Sequence, residues 1–467
     1  MPGVSPAADG ELALVLHTHM PYVEGFGTWP SGEEWLFEAI AGSYLPLLGP
    51  LERAGRAITL SLTPVLCDQL EAPGVGERFL AFVREVREES HRQDIAGLRE
   101  GGHDDLAAEL EASREDYRAA AARFEGIGGD LLGALAPHAA WTSAATHAVL
   151  PLVATDAGVR LQVGLGIEAH RRRFGGWRGG FWLPECAHAP WLDPLLEEAG
   201  VHASCVDLTD VLGRGAPEQL RPLRSEDGPI LAPLDRATVE LVWSDDGYPA
   251  HATYRDYHHH TIHHHRPWSN GGGAYDREAA HALAREHAAD FVTRVRERVA
   301  GGGLCVCALD TELLGHWWHE GPWWLDAVLD EAAAQGLALA PLDDALERHE
   351  PVAAPRELPV TTWGSPRNLA TWSGPRVAEL AWRARDAELR TLAAGPAAGP
   401  RALRELLALQ ASDWAFMLNR ELAGPYPRER ADGHAAALNE ALRLGSGAQP
   451  ALRNLAPALE ATGLPEL

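Results

Sequence analysis

The chain contains no lysine: all 40 of its basic residues are arginine, set against 66 acids, for a formal charge of −26 over 467 residues. A surface so short of positive charge repels phosphate, which argues against nucleic acid and other polyanions as partners and leaves neutral substrates unopposed. Cysteine is scarce and odd in number, at Cys67, Cys186, Cys205, Cys305 and Cys307. Most of these lie inside apolar runs and read as reduced core residues of a cytosolic protein, not as a disulfide framework. The Cys305-x-Cys307 pair lacks the second pair that a zinc site needs. No stretch of about 18 apolar residues occurs, so a membrane span is not expected. Residues 1–10 lack the basic start and apolar core of a signal peptide. The expected setting is therefore cytoplasmic.

Tryptophan, by contrast, is in surplus, with 16 residues against 8 tyrosines. Indole rings stack on the apolar faces of sugars, so the surplus leans towards a carbohydrate ligand. Hydrophobic content of 46% and charged content of 23% fit a globular protein, and the length predicts more than one domain.

Leu12–Leu16 is an unbroken apolar run ending in His17-Thr18-His19, which suits a strand buried on both faces of a parallel sheet. A helix is predicted from Glu33 to Leu51, a strand over Ala57–Leu62, and two or three amphipathic helices inserted over residues 76–126. Strand-like runs recur near Ala139–Trp141, Leu161–Val163, Phe181–Leu183, His202–Val206, Glu240–Trp243, Leu304–Leu309 and Leu337–Ala340. That alternation predicts an α/β barrel with its chemistry at the carboxyl ends of the strands. The expected domains are a catalytic barrel over 1–350 with a lid loop around 244–275, an irregular bridge over 351–376, and a helical domain over 377–467.

Two of these runs deliver carboxylates beside indoles. Phe181-Trp182-Leu183 stops at Pro184 and presents Glu185; Leu304–Leu309 ends in Asp310-Thr311-Glu312, followed by Gly315-His316-Trp317-Trp318. A pair of acids at strand ends suits a retaining glycosidase, in which one attacks the anomeric carbon and the other, held protonated, gives its proton to the leaving oxygen. Spacing alone leaves Asp310 and Glu312 both open as the acid. His17 and His19 share one strand face, where they can serve sugar hydroxyls, or a metal together with Asp310; the alternative is a pair of satisfied core histidines. The tract His258–His265 reads as an exposed loop near the site. Gly247-Tyr248-Pro249 reads as a turn carrying an aromatic lid, with Asn270–Gly273 as its flexible joint.

Four stretches taken together, His17–Tyr22, Trp182–Ala187, Asp310–Trp318 and Ser412-Asp413-Trp414, resemble glycoside hydrolase family 57, and within it the α-1,4-glucan branching enzymes. The resemblance implies a (β/α)7 barrel with inserted helices and a C-terminal helical domain, and a retaining mechanism with no metal or other cofactor. It implies Glu185 as nucleophile and Asp310 as general acid and base. It also implies substrate contacts from His17, His19, Trp29, Trp182, Tyr248, Arg266, Trp268, Gly273, Trp317, Trp363, Asp413 and Trp414, with an α-glucan such as amylose or a glycogen-like polymer as partner. His188 stands where the family usually has tyrosine, and the segment before Tyr275 is short and rich in histidine. The alternatives are an α-amylase or 4-α-glucanotransferase on the same site, a metal-dependent deacetylase using His17, His19 and Asp310, and a silent glucan-binding protein.

Overall fold

A computed structural model describes residues 10–28, 30–447, 452 and 454–461. Its centre is built from seven strands: β1 (Glu11–Thr18), β2 (Ile58–Leu62), β3 (Ala139–Ser143), β4 (Phe181–Trp182), β5 (Ala203–Val206), β6 (Ile230–Pro233) and β7 (Leu304–Asp310). β4, β3, β2, β1 and β7 lie side by side and parallel. A parallel bridge from Gly180 to Ala203 continues the wall into β5, which pairs in parallel with β6. The Asp235 N–H, just past β6, donates to the Val306 carbonyl of β7 at 2.9 Å. With that bond the seven strands close, giving the (β/α)7 barrel. The curl is visible in one side-chain contact: His17 on β1 and Trp182 on β4 would be about 14 Å apart across a flat sheet, yet their rings stack at 4.5 Å.

All eight residues of β1 are buried, as a strand covered on both faces demands. The covering helices that matter below are α1 (Glu33–Ala39), α2 (Glu88–Glu100), α3 (Asp104–Gly126), α4 (Asp156–Phe174), α5 (Arg236–Val242), α6 (Arg277–Arg298) and α7 (Gly321–Gln335). α2 and α3 belong to the insertion between β2 and β3. Past the irregular bridge, α8 (Ala378–Ala394), α9 (Gly399–Leu409), α10 (Ser412–Asn419) and α11 (Tyr426–Leu444) form the C-terminal helical layer. It docks on the loop after β3: Thr146 donates to the Leu407 carbonyl at 2.6 Å, and the Ser412 N–H to the His147 carbonyl at 3.2 Å.

Two of the expected strands are helices. Leu161–Val163 lies inside α4, whose start is fixed by the Thr155 side chain accepting from the Gly158 N–H. The glycines that make the run look strand-like serve packing, since a Cβ on Gly166 would strike the Ser143 carbonyl of β3. Glu240–Val242 ends α5. The barrel strand in that part of the chain is β6, shortened and masked by Pro229 and Pro233. All five cysteines are buried and unpaired. No helix among the described residues is long and apolar enough to cross a membrane.

Candidate active site

β4 ends at Trp182, and Glu185 follows in a left-handed conformation, φ 62° and ψ 22°, with Cys186 also at positive φ. Non-glycine residues there cost about 1–3 kcal/mol each and persist where the surroundings over-determine them. The turn aims the carboxylate into a ring of donors: Trp363 Nε1–H reaches Oε2 at 3.1 Å and Ser412 Oγ–H reaches Oε1 at 3.3 Å. Burial lifts the Glu185 pKa to about 7 against the pull of those donors. Asp310 ends β7 beside β1, in register with His17. Burial, reinforced by Glu312 and Glu185, pushes its pKa well above the carboxylate range. One acid is thus the more readily ionised and the other is kept protonated.

Glu312 is taken up structurally. Its Oε1 accepts from the Tyr44 hydroxyl at 2.6 Å and from the His19 N–H at 3.2 Å, which leaves Asp310 as the acid of the pair that is free to act.

Behind Glu185 runs a chain of hydrogen bonds with one consistent direction. Ser412 gives its hydrogen to Glu185, so it accepts from His147 Nδ1–H at 2.9 Å. His147 Nε2 then accepts from His17 Nε2–H at 3.0 Å, and His17 Nδ1 accepts from Ser61 at 3.2 Å. That arrangement needs both imidazoles neutral. Burial and the neighbouring histidines hold both pKa values well below the ordinary range. His19 differs: burial opposes its charge, but Asp413 at 2.9 Å outweighs that and raises its pKa. Asp413 Oδ2 is buried without a partner beside these groups.

The structure gathers Glu185, Asp310, His17, His19, Trp182, Trp363 and Asp413 in one place but corrects several roles. His17 and Trp182 are fully buried; they support the site from behind and do not line it. Trp414 is buried too, donating to the Ala408 carbonyl at 2.7 Å and packing near Tyr426 and His434. It is a core residue of the helical layer. Tyr248 donates to Asp290 of α6 at 2.7 Å and stacks on His287, so it rests on an outer helix. Trp268 stacks on His259 at 3.8 Å. Gly273 accepts the Ser269 N–H in a tight turn, so the expected joint is pinned. Arg266 and Trp317 meet at a separate cleft described below. Trp29 lies outside the described residues. His188 is buried and bonded to Asp193 at 2.8 Å.

Sequence reasoning missed His147 and Trp243. His147 follows β3 with a positive φ and carries no motif. Trp243 is 42% exposed, edge-on to Trp363, in a run misread as a strand. Among the described residues no group of three or more histidine, cysteine, aspartate or glutamate side chains is arranged to hold a metal ion.

Residues 140–356 match the model of glycosyl hydrolase family 57. Residues 376–456 match the one described as 1,4-alpha-glucan branching enzyme, C-terminal. A probable 1,4-alpha-glucan branching enzyme of Mycobacterium tuberculosis is 33% identical, with 96% of this chain and 94% of that protein covered. The chain belongs to glycosyl hydrolase family 57. A family 57 branching enzyme of known structure from Pyrococcus horikoshii superposes with a TM-score of 0.85 at 30% identity, covering 92% and 89% of the two chains. Another from Thermococcus kodakaraensis, solved with glucose, gives 0.83 at 30% identity, covering 93% and 91%. Family 57 membership makes this chain an enzyme of the glycoside hydrolase and transferase type.

Proposed function

We propose that the chain is a cytoplasmic 1,4-alpha-glucan branching enzyme serving the synthesis of a glycogen-like polymer. The observation that carries the chemistry is the unequal environment of the two acids. Glu185 is held by two donors and is poised to ionise near neutrality, while Asp310 is kept protonated by burial and by the charges beside it. Glu185 attacks C1 of an α-1,4 linkage as Asp310 gives its proton to the departing oxygen, leaving the donor chain bound to Glu185 through C1. The 6-hydroxyl of an acceptor chain then attacks C1 and loses its proton to the Asp310 carboxylate. The bond to Glu185 breaks, an α-1,6 branch forms, and both acids return to their starting states.

His19 and Asp413 stand beside Glu185 with polar atoms suited to sugar hydroxyls. Trp363 and the exposed Trp243 extend an aromatic row outward from Glu185, suited to the donor chain. The residues 1–350, 351–376 and 377–467 act as barrel, bridge and helical domain, the last supplying Ser412 and Asp413.

The test is to incubate the purified protein with linear amylose and follow α-1,6 and α-1,4 anomeric protons by NMR alongside reducing ends. New α-1,6 signal at nearly constant reducing ends is expected. Rising reducing ends without it would make the enzyme a hydrolase, and new α-1,4 redistribution alone a 4-α-glucanotransferase.

A further inference from the structure

The loop carrying Asp310 runs on past Glu312 to a cleft that the mechanism above leaves unused. Its platform is a column of three side chains. Arg266 lies 4.1 Å over the Tyr257 ring and donates Nε–H to the Tyr257 carbonyl at 2.9 Å. Tyr257 sits 4.4 Å from the Trp317 ring, and Trp317 is 47% exposed. The Trp317 N–H donates to the Glu312 carbonyl at 3.2 Å, fixing the platform to the loop that holds the acid.

The histidine tract forms the rim, and it is folded. Asp256 accepts from the N–H groups of His258 and His259 at 2.7 and 3.1 Å. His263 bonds to Asp94 of α2 at 2.7 Å, and Arg87 donates to the His263 carbonyl at 2.8 Å. The tract's side chains are thus committed largely to holding the loop, with the exposed His258 and His260 turned to the cleft mouth. Glu34 of α1 lines the same cleft. One of its oxygens pairs with Arg87 at 3.2 Å, and the other is buried with no partner in the protein.

An exposed indole backed by a second ring, a rim of imidazoles and an unpaired carboxylate acceptor are what a chain of sugars needs: stacking for its apolar faces and partners for its hydroxyls. Position decides which chain. The aromatic row of Trp363 and Trp243 leaves from Glu185, whereas this cleft leaves from Asp310, the group that removes the acceptor's proton. We infer that the cleft holds the acceptor, a second linear α-1,4-glucan, with Trp317 and Tyr257 as platform and the histidine tract as rim. The inference rests on the transferase reading above.

The test supplies amylose as donor and maltohexaose, fluorescently labelled at its reducing end, as acceptor, and measures the acceptor concentration giving half-maximal growth of the label. Tyr257→Ala is expected to raise that concentration about tenfold, the scale of one stacked ring. Tyr257→Phe, which keeps the ring, should stay within about twofold of the parent. The double variant His258→Ala/His260→Ala alters only exposed side chains and is expected to raise it several-fold. Trp382→Ala, at a 70% exposed position on α8, serves as the control.

Parental acceptor dependence in both the Tyr257→Ala and the double histidine variants overturns the cleft; if Tyr257→Ala does not fold, the double variant decides. A parent enzyme that never extends the label overturns it as well. Label extended through α-1,4 bonds alone, yet still dependent on Tyr257, supports the cleft while overturning branching.

Discussion

Ser412, the first residue of α10, donates its hydroxyl to Glu185 Oε1 at 3.3 Å, so the helical layer completes the surroundings of a carboxylate presented by the barrel. His147 fixes the direction of that bond by donating to Ser412 from the other side. A hydrogen bond to a charged group is worth about 1.5–3 kcal/mol. Ser412→Ala is therefore expected to lower kcat about tenfold or more while leaving the melting temperature nearly unchanged. Steady-state kinetics with amylose, paired with a thermal melt, checks both.

The pH profile follows from the two acids. Below about pH 7 Glu185 takes up a proton and the nucleophile is lost, so kcat/KM should fall on the acid side with a midpoint near 7. Asp310 is held up by burial and its acidic neighbours, so activity should persist above neutrality until that proton is lost. Because the Trp363 N–H stabilises the charged carboxylate, Trp363→Phe should move the acid limb to higher pH. An acid limb that stays in place or moves down would contradict the assignment.

Trp414 separates a structural role from a substrate-binding one. Its indole is buried among the side chains of α10 and α11, and deletion of a buried tryptophan costs about 3–5 kcal/mol. Trp414→Ala should lower the denaturation midpoint by a corresponding amount, with KM for amylose close to parental in the fraction that stays folded.

Gly315 lies on the loop between Asp310 and Trp317 at φ 104°, and a Cβ there would strike the Gly42 carbonyl. Gly315→Ala is expected to destabilise the protein by at least about 2 kcal/mol and to lower both cleavage and transfer, because the loop carries the acid and the acceptor platform together. Chemical denaturation and the labelled-acceptor assay read the two effects.

Much of this was legible in the chain because burial and periodicity write themselves into residue type. The unbroken run Leu12–Leu16 could only be a strand covered on both faces, and Glu185 and Asp310 each follow such a run. β6 was invisible for the converse reason: four residues bounded by proline resemble a turn. α4 misled because its glycines answer to the neighbouring strand β3, a tertiary demand that no local pattern reports. The supports of the nucleophile were half legible. Ser412 and Asp413 stood in a motif, but their partners His147 and His19 lie hundreds of residues away, and only closure of the barrel and docking of the helices brings them together. The histidine tract looked like a ligand-binding run; its neighbours on α2, above all Asp94 and His91, give it a structural task.

The account stands or falls on a covalent bond to Glu185. The direct measurement is to load Asp310→Asn with a maltooligosyl fluoride, whose leaving group needs no proton, quench it in acid, and map the glycosylated peptide by mass spectrometry. Sugar on the peptide containing Glu185, absent when Glu185→Gln is added, is the expected result. An unmodified protein that still turns the fluoride over, or sugar on any other carboxylate, would contradict it.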